Sequence, residues 1–170
     1  MSSGAKPLVV HHLQYSQSER IPWLLHELRL QGHQIPYKLV LHQRAPLFSP
    51  PDLAKLHPMH AAPVVQVGDL TLAESGAIIE YIVDVYASGA LKLRPGDSGY
   101  EKYIYWWHWA NSNLQPVIMR CATLRHLNLP DDNPVKKSTL ERLAIALGHL
   151  DKHLEQNVWL AGDVAAVLGF

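Results

Sequence analysis

The chain has 170 residues, 48% of them apolar, enough for one large domain or two small ones with a real core. Its 15 basic and 15 acidic side chains cancel, which leaves no electrostatic footprint for nucleic acid. One cysteine, Cys121, excludes an internal disulfide framework and a Cys-x-x-Cys redox centre, and with the 11 histidines scattered along the chain no metal site is expected.

Pro7–Leu13, "PLVVHHL", reads as a strand with a β-branched centre. The segment "SERIPWLLHELRLQG" places Ile21, Leu24, Leu25 and Leu28 on one helical face. Ser18 is its expected N-cap, Gly32 its expected stop, and Pro22 falls in the first turn, where a missing N–H is harmless. Pro36–His42 is a second strand, and residues 43–58 form a loop with one short helix over Pro51–Leu56. "PVVQVGDLTLAE" is two short strands around the turn Gly68-Asp69. "SGAIIEYIVDVYAS" is a helix with Ile78, Ile79, Ile82 and Tyr86 on one side. The order β-α-β-α-β-β-α predicts a small mixed sheet with helices on both faces.

Ser88–Gly99 is the linker, rich in Gly, Pro and Ser. After it comes a long aromatic helix, Tyr100–Leu127, expected to bend near Pro116 because proline removes a helical hydrogen bond. The loop "LPDDNPV" leads to a last helix over Ser138–Gln156, with Leu140, Leu143, Leu147, Leu150 and Leu154 at helical spacing. The predicted class is therefore α/β followed by all-α: residues 1–87, a linker 88–99, and a helical domain 100–170. Cys121, within the aromatic helix, reads as a small buried core residue. The N-terminus carries only a four-residue apolar run, too short for a secretory signal, and no 18-residue apolar span occurs. A soluble cytoplasmic protein is the expectation, with no membrane or nucleic-acid partner.

Glu74-Ser75 sits where a strand ends and an apolar helix begins, with ten residues between Pro63 and Glu74. An acid and a hydroxyl at such a place either cap the helix or hold a ligand. Three segments together carry a resemblance: "HPMHAAPVV" followed by "LAESGAIIEYI", "HHLQYSQSERIPWLLHEL", and "YIYWWHWANSNLQP". They resemble the cytosolic glutathione transferases, in particular the fungal and bacterial branch, over residues 7 to about 163.

The resemblance implies a thioredoxin-like N-terminal domain followed by a helical one. It implies glutathione as co-substrate, no metal, a small apolar electrophile as second substrate, and a homodimer. Detoxification or tailoring of a metabolite is the activity it implies. It further implies a cis bond before Pro63, with the backbone of Ala62, Pro63 and Val64 pairing with the cysteinyl unit of glutathione like an added strand. Glu74 would meet the ammonium of the γ-glutamyl end, and Ser75 with the helix N-terminus its carboxylate.

The reacting nucleophile in such a protein is the bound thiolate, so a hydroxyl donor near the first helix is expected. Ser16, Tyr15 and Ser18 are the candidates, and Ser16 aligns best with the serine of that branch. His60-Ala61 stands where relatives carry Gly-Lys or Gly-Arg, so His60 is the candidate for the glycyl carboxylate. Arg44 matches an arginine of the branch, and Gln17 stands where an arginine is common. In the aromatic helix, Trp109 and Asn113, four residues apart, are the candidates for the co-substrate pocket.

The family would continue for several helices and show a Ser/Thr-x-x-Asp box after Gly162-Asp163; neither is present, so a truncated chain is expected. Two other readings stay open at this stage. One is a glutathione-binding or regulatory protein without turnover; the other is a glutathione-dependent peroxidase or disulfide reductase.

Overall fold

The computed structural model describes residues 6–44 and 49–161. The chain divides into two compact units at Lys92/Leu93, inside the expected linker.

The first unit is built on a four-stranded mixed sheet in the order β2-β1-β3-β4. β1 (Leu8–Leu13) runs parallel to β2 (Tyr37–His42) and antiparallel to β3 (Val64–Val67), which pairs antiparallel with β4 (Leu70–Ala73). Side chains alternate across the sheet with period two. Val10 and its neighbour Val65 face one way, while His11 and Leu13 face the other with Val64. On that second face Leu13 and Val64 pack against Leu53 of the short helix α2 (Pro51–Ala54), flanked by Leu56 and Ala62.

The apolar stripe foreseen between residues 21 and 28 forms α1 (Arg20–Leu30), and Ile21, Leu24, Leu25 and Leu28 are all buried. It ends in a Schellman motif. Gly32 takes φ +91°, its N–H bonds to Arg29 O, and His33 N–H reaches back to Leu28 O. The start of α1 departs from expectation. A 3₁₀ turn over Gln17–Glu19 precedes it, and the capping side chain is Ser16, which accepts from Ser18 N–H. Ser18 is not the cap; its side chain is buried and turned toward β1. α3 (Ser75–Tyr86) buries Ile78, Ile79, Ile82 and Val83.

The second unit is helical. α4 (Tyr100–Trp109) runs into a π-helical turn, Ala110–Leu114, and then α5 (Gln115–His126). The break expected at Pro116 is thus made one turn earlier. Pro116 has no N–H to give the preceding turn, and widening that turn removes the clash of its ring with the carbonyl four residues back. α6 spans Pro134–Leu154 and so begins four residues before the expected Ser138. The cause is Asn133, whose side chain accepts from the N–H groups of Val135 and Lys136, with Pro134 at the first helical position. Asn-Pro is a helix start signal, not only a loop signal.

Candidate functional site

Three chain segments meet at one end of the sheet. The register aligns His11, Val64 and Ala73 across β1, β3 and β4. The C-terminal end of β1, the N-terminal end of β3 and the C-terminal end of β4 therefore lie side by side. They deliver, in turn, the loop with Tyr15 and Ser16, the Ala62-Pro63 bond, and Glu74-Ser75. The Ala62–Pro63 bond is cis. No further position along these strands brings all three loops together.

In the first loop the three hydroxyl candidates occupy different surroundings. Tyr15 has φ +51° and is 83% exposed. Ser16 is half-buried, donates to Leu13 O at 2.7 Å and touches Ser18 Oγ at 2.5 Å. Ser18 is wholly buried; its Oγ accepts from Leu13 N–H at 2.9 Å and lies 2.7 Å from His12 Nδ1. Arg44 lies against the same loop, donating from Nε to Gln14 O at 3.2 Å.

Glu74 is exposed and has φ +70°, ψ 113°, a left-handed conformation that a residue with a Cβ adopts at a cost of about 1–3 kcal/mol. Its side chain makes no capping bond to α3, although its carbonyl accepts the first helical hydrogen bond, from Ile78 N–H. Ser75 is the first residue of α3, so it is not the cap either. Its hydroxyl accepts from Arg20 Nη1 at 3.0 Å, which leaves the hydroxyl hydrogen for another acceptor. The amides of the first turn of α3 have no intrahelical partner and present partial positive charge.

Arg20 was not singled out from the sequence. It is buried at the start of α1, and burial holds its guanidinium pKa below the ordinary arginine value, with Glu19 opposing. The signal was there: Arg20 lies four residues before Leu24 and eight before Leu28, so a cation occupies a core-facing position of the apolar stripe.

His60 is exposed, with φ +51°, beside the cis bond. It shares a shallow groove with Lys55, Leu56 and His57.

Behind the sheet end lies a polar chain, buried at its two histidines and open to solvent at Asp52, that sequence reasoning missed because its members are 10 to 55 residues apart. Asp52 Oδ2 is 2.8 Å from His42 Nδ1, His42 Nε2 is 3.0 Å from His11 Nδ1, and His11 Nε2 is 3.1 Å from the Gln66 side-chain amide. It ties β1, β2, β3 and α2 together. Burial, opposed by Gln66 and reinforced by His42, holds the His11 pKa below the ordinary imidazole value. A depressed histidine pKa favours the native state above the ordinary value of about 6.5, and that stability is lost as pH falls through the native pKa. For Asp52, which stands largely in solvent, a partial desolvation raises the pKa, but the Leu53 N–H and His42 bonds outweigh it and the net shift is downward. Its contribution is lost at still lower pH. The expected result is a melting temperature that falls from pH 7.5 to pH 5, with a smaller slope in His11→Asn. Identical melts across that range would overturn the assignment.

The two residues expected to line a co-substrate pocket both lie in the second unit. Trp109 is buried, packed edge-on against Trp106 at 4.9 Å and near His149. Asn113 is exposed, in the π-helical turn, and donates to Ser112 Oγ. Cys121 is buried on α5.

The sheet order, the cis bond opening β3 and the helix after β4 define a thioredoxin-like fold followed by a helical region. Residues 8–84 match the family model for the N-terminal domain of glutathione S-transferases. Over 168 residues the chain is 30% identical to glutathione S-transferase 3 of Schizosaccharomyces pombe, covering 92% of this chain and 67% of that protein. It is 31% identical over 116 residues to glutathione S-transferase 1 of Saccharomyces cerevisiae, covering 65% of this chain and 48% of the relative. The chain belongs to the glutathione S-transferase family. It spans about two thirds of the first relative's length and about half of the second's.

Among solved structures, a glutathione S-transferase from Actinobacillus pleuropneumoniae superposes with a TM-score of 0.79 at 28% identity, covering 95% of this chain and 72% of that one. A theta-class enzyme from Xanthomonas axonopodis, described with glutathione bound, shares the fold with a TM-score of 0.69 at 22% identity, covering 96% and 77%.

Proposed function

We propose that the chain binds glutathione at this sheet end and lowers the pKa of its thiol for attack on an electrophilic, largely apolar small molecule. The observation that carries the reading is the convergence of Ser16, Ala62-Pro63 and Glu74-Ser75 at one end of the sheet. Supporting it, Glu74 holds a strained backbone without capping a helix, as expected where a ligand rather than the fold sets the residue.

The roles follow from the chemistry. The backbone of Ala62 and Val64 offers strand-like hydrogen bonds to the cysteinyl unit. Glu74 pairs with the ligand ammonium. The Ser75 hydroxyl, freed by the Arg20 bond, donates to the ligand carboxylate beside the open amides of α3. His60 and Lys55 border the groove where the glycyl carboxylate would lie. The half-buried Ser16 is the donor to the sulfur. Ser18 is closed off from a ligand by its burial, and the Tyr15 phenol stands in solvent.

A second reading, glutathione binding without turnover, is favoured by His60-Ala61 in place of a strong cation. Calorimetric titration with glutathione, followed by turnover with an aryl-halide electrophile, separates the two. Saturable binding with conjugation supports the enzyme; binding without conjugation supports the second reading. A folded, monodisperse chain that binds no glutathione sinks both.

A further inference from the structure

The inference deepens the proposed function and rests on it: the histidine His12, behind the site, sets which way the Ser16 hydroxyl points. The contacts are short and few. His12 Nδ1 lies 2.7 Å from Ser18 Oγ, Ser18 Oγ lies 2.5 Å from Ser16 Oγ, and Ser16 Oγ lies 2.7 Å from Leu13 O. Leu13 N–H and Ser18 N–H also donate, to Ser18 Oγ at 2.9 Å and to Ser16 Oγ at 3.2 Å, and Ser18 Oγ lies 3.3 Å from Leu13 O, a longer contact than its 2.5 Å one with Ser16.

Each hydroxyl has one hydrogen and two lone pairs, and a carbonyl oxygen can only accept. The Ser16–Leu13 contact must therefore use the Ser16 hydrogen. The Ser16–Ser18 contact must then use the Ser18 hydrogen. Only the imidazole is left to supply the hydrogen between Ser18 and His12, so His12 carries its proton on Nδ1. The alternative tautomer takes the Ser18 hydrogen, and one short oxygen–oxygen contact is then left with no hydrogen in it, which is repulsive. With Nδ1–H in place, both lone pairs of each serine oxygen are filled. The hydrogen at the end of the chain is that of Ser16; to donate it to a ligand sulfur the Ser16 oxygen must also draw back from Leu13 O, so that no short oxygen–oxygen contact is left without a hydrogen.

We infer that His12 is a positioning residue for thiol activation. Its Nδ1–H donates to Ser18, Ser18 donates to Ser16, and Ser16 is left as an outward donor whose hydrogen bond is strengthened by the two behind it. No covalent step and no net proton transfer is required; the chain stabilises the thiolate by orientation.

The test is the pH titration of the ultraviolet thiolate absorbance of the protein–glutathione complex, in wild type, His12→Leu and His12→Asn. The Asn side-chain amide places an N–H where Nδ1–H stands but cannot act as an imidazole base. The expected result is a bound-thiol midpoint raised by about one pH unit in His12→Leu, a roughly fivefold to tenfold loss of kcat, and glutathione affinity within about twofold. His12→Asn restores most of both. A structural role alone would not be rescued in this pattern. Should His12→Leu fail to fold, nitrogen-15 NMR of the wild-type imidazole decides: a proton on Nδ1 is expected, and an Nε2–H tautomer overturns the inference. Wild-type protein that ionises glutathione while His12→Leu matches it overturns this inference alone. Wild-type protein that binds no glutathione overturns the functional reading, and this one with it.

Discussion

Ser16→Ala is expected to lower kcat with an electrophile by about 10- to 100-fold while changing the KM for glutathione by less than about threefold. A free thiol has a pKa near 8.5, and about two units of lowering requires roughly 2.7 kcal/mol of preferential thiolate stabilisation. A hydrogen bond to a charged partner contributes about 1.5–3 kcal/mol, so one hydroxyl can account for most of it. The loss falls on kcat because the bond is made to the thiolate and not to the neutral ligand. Ser16 also caps the turn before α1, so the variant should lose about 1 kcal/mol of stability, and its melt is the necessary control. Tyr15→Phe is the companion, expected to keep near wild-type kcat because the phenol stands in solvent. The opposite pair of results would move the role from Ser16 to Tyr15.

Glu74→Ala is expected to weaken glutathione binding by about 10- to 100-fold, or about 1.4–2.8 kcal/mol at 1.4 kcal/mol per decade. The carboxylate is exposed in the free protein, which holds the expected effect below that of a buried pair. Stability should change by no more than about 0.5 kcal/mol, because Glu74 makes no capping bond and the substitution keeps the Cβ at φ +70°. The combination matters. A residue that only closes a strand would leave binding intact, and a residue that holds α3 would lower the melt. Calorimetric titration and thermal denaturation of the same preparation check both, and Glu74→Gln, isosteric but uncharged, should behave like Glu74→Ala.

Much of the site was legible before any coordinates. Pro63 before a run of β-branched residues, and an acid-hydroxyl pair before an apolar helix, are short-range signals, and each lies within its own element. Their meeting at one sheet end was implied by the family resemblance, and the register supplies the geometric cause. The supporting partners were not legible. Arg20 reaches Ser75 across 55 positions, and His11 reaches Gln66 across 55 and His42 across 31. No spacing rule links residues so far apart.

By itself the sequence determined the elements: the 3.6-residue stripe of α1, the Gly32 stop, the hairpin around Gly68-Asp69, and the helical character beyond the linker. These depend on local periodicity and on backbone freedom at single residues, which the chain carries wherever it folds. Only the tertiary structure decided which serine caps and which is buried. Ser16 and Ser18 are two positions apart and chemically identical, and the turn dihedrals together with the nearness of His12 separate their roles. It also decided how the chain passes Pro116, because that outcome depends on which turn the surrounding packing accepts; the start of α6, by contrast, was written locally in Asn133-Pro134. Periodicity is a property of neighbours in the chain; a hydrogen-bond partner is a property of neighbours in space.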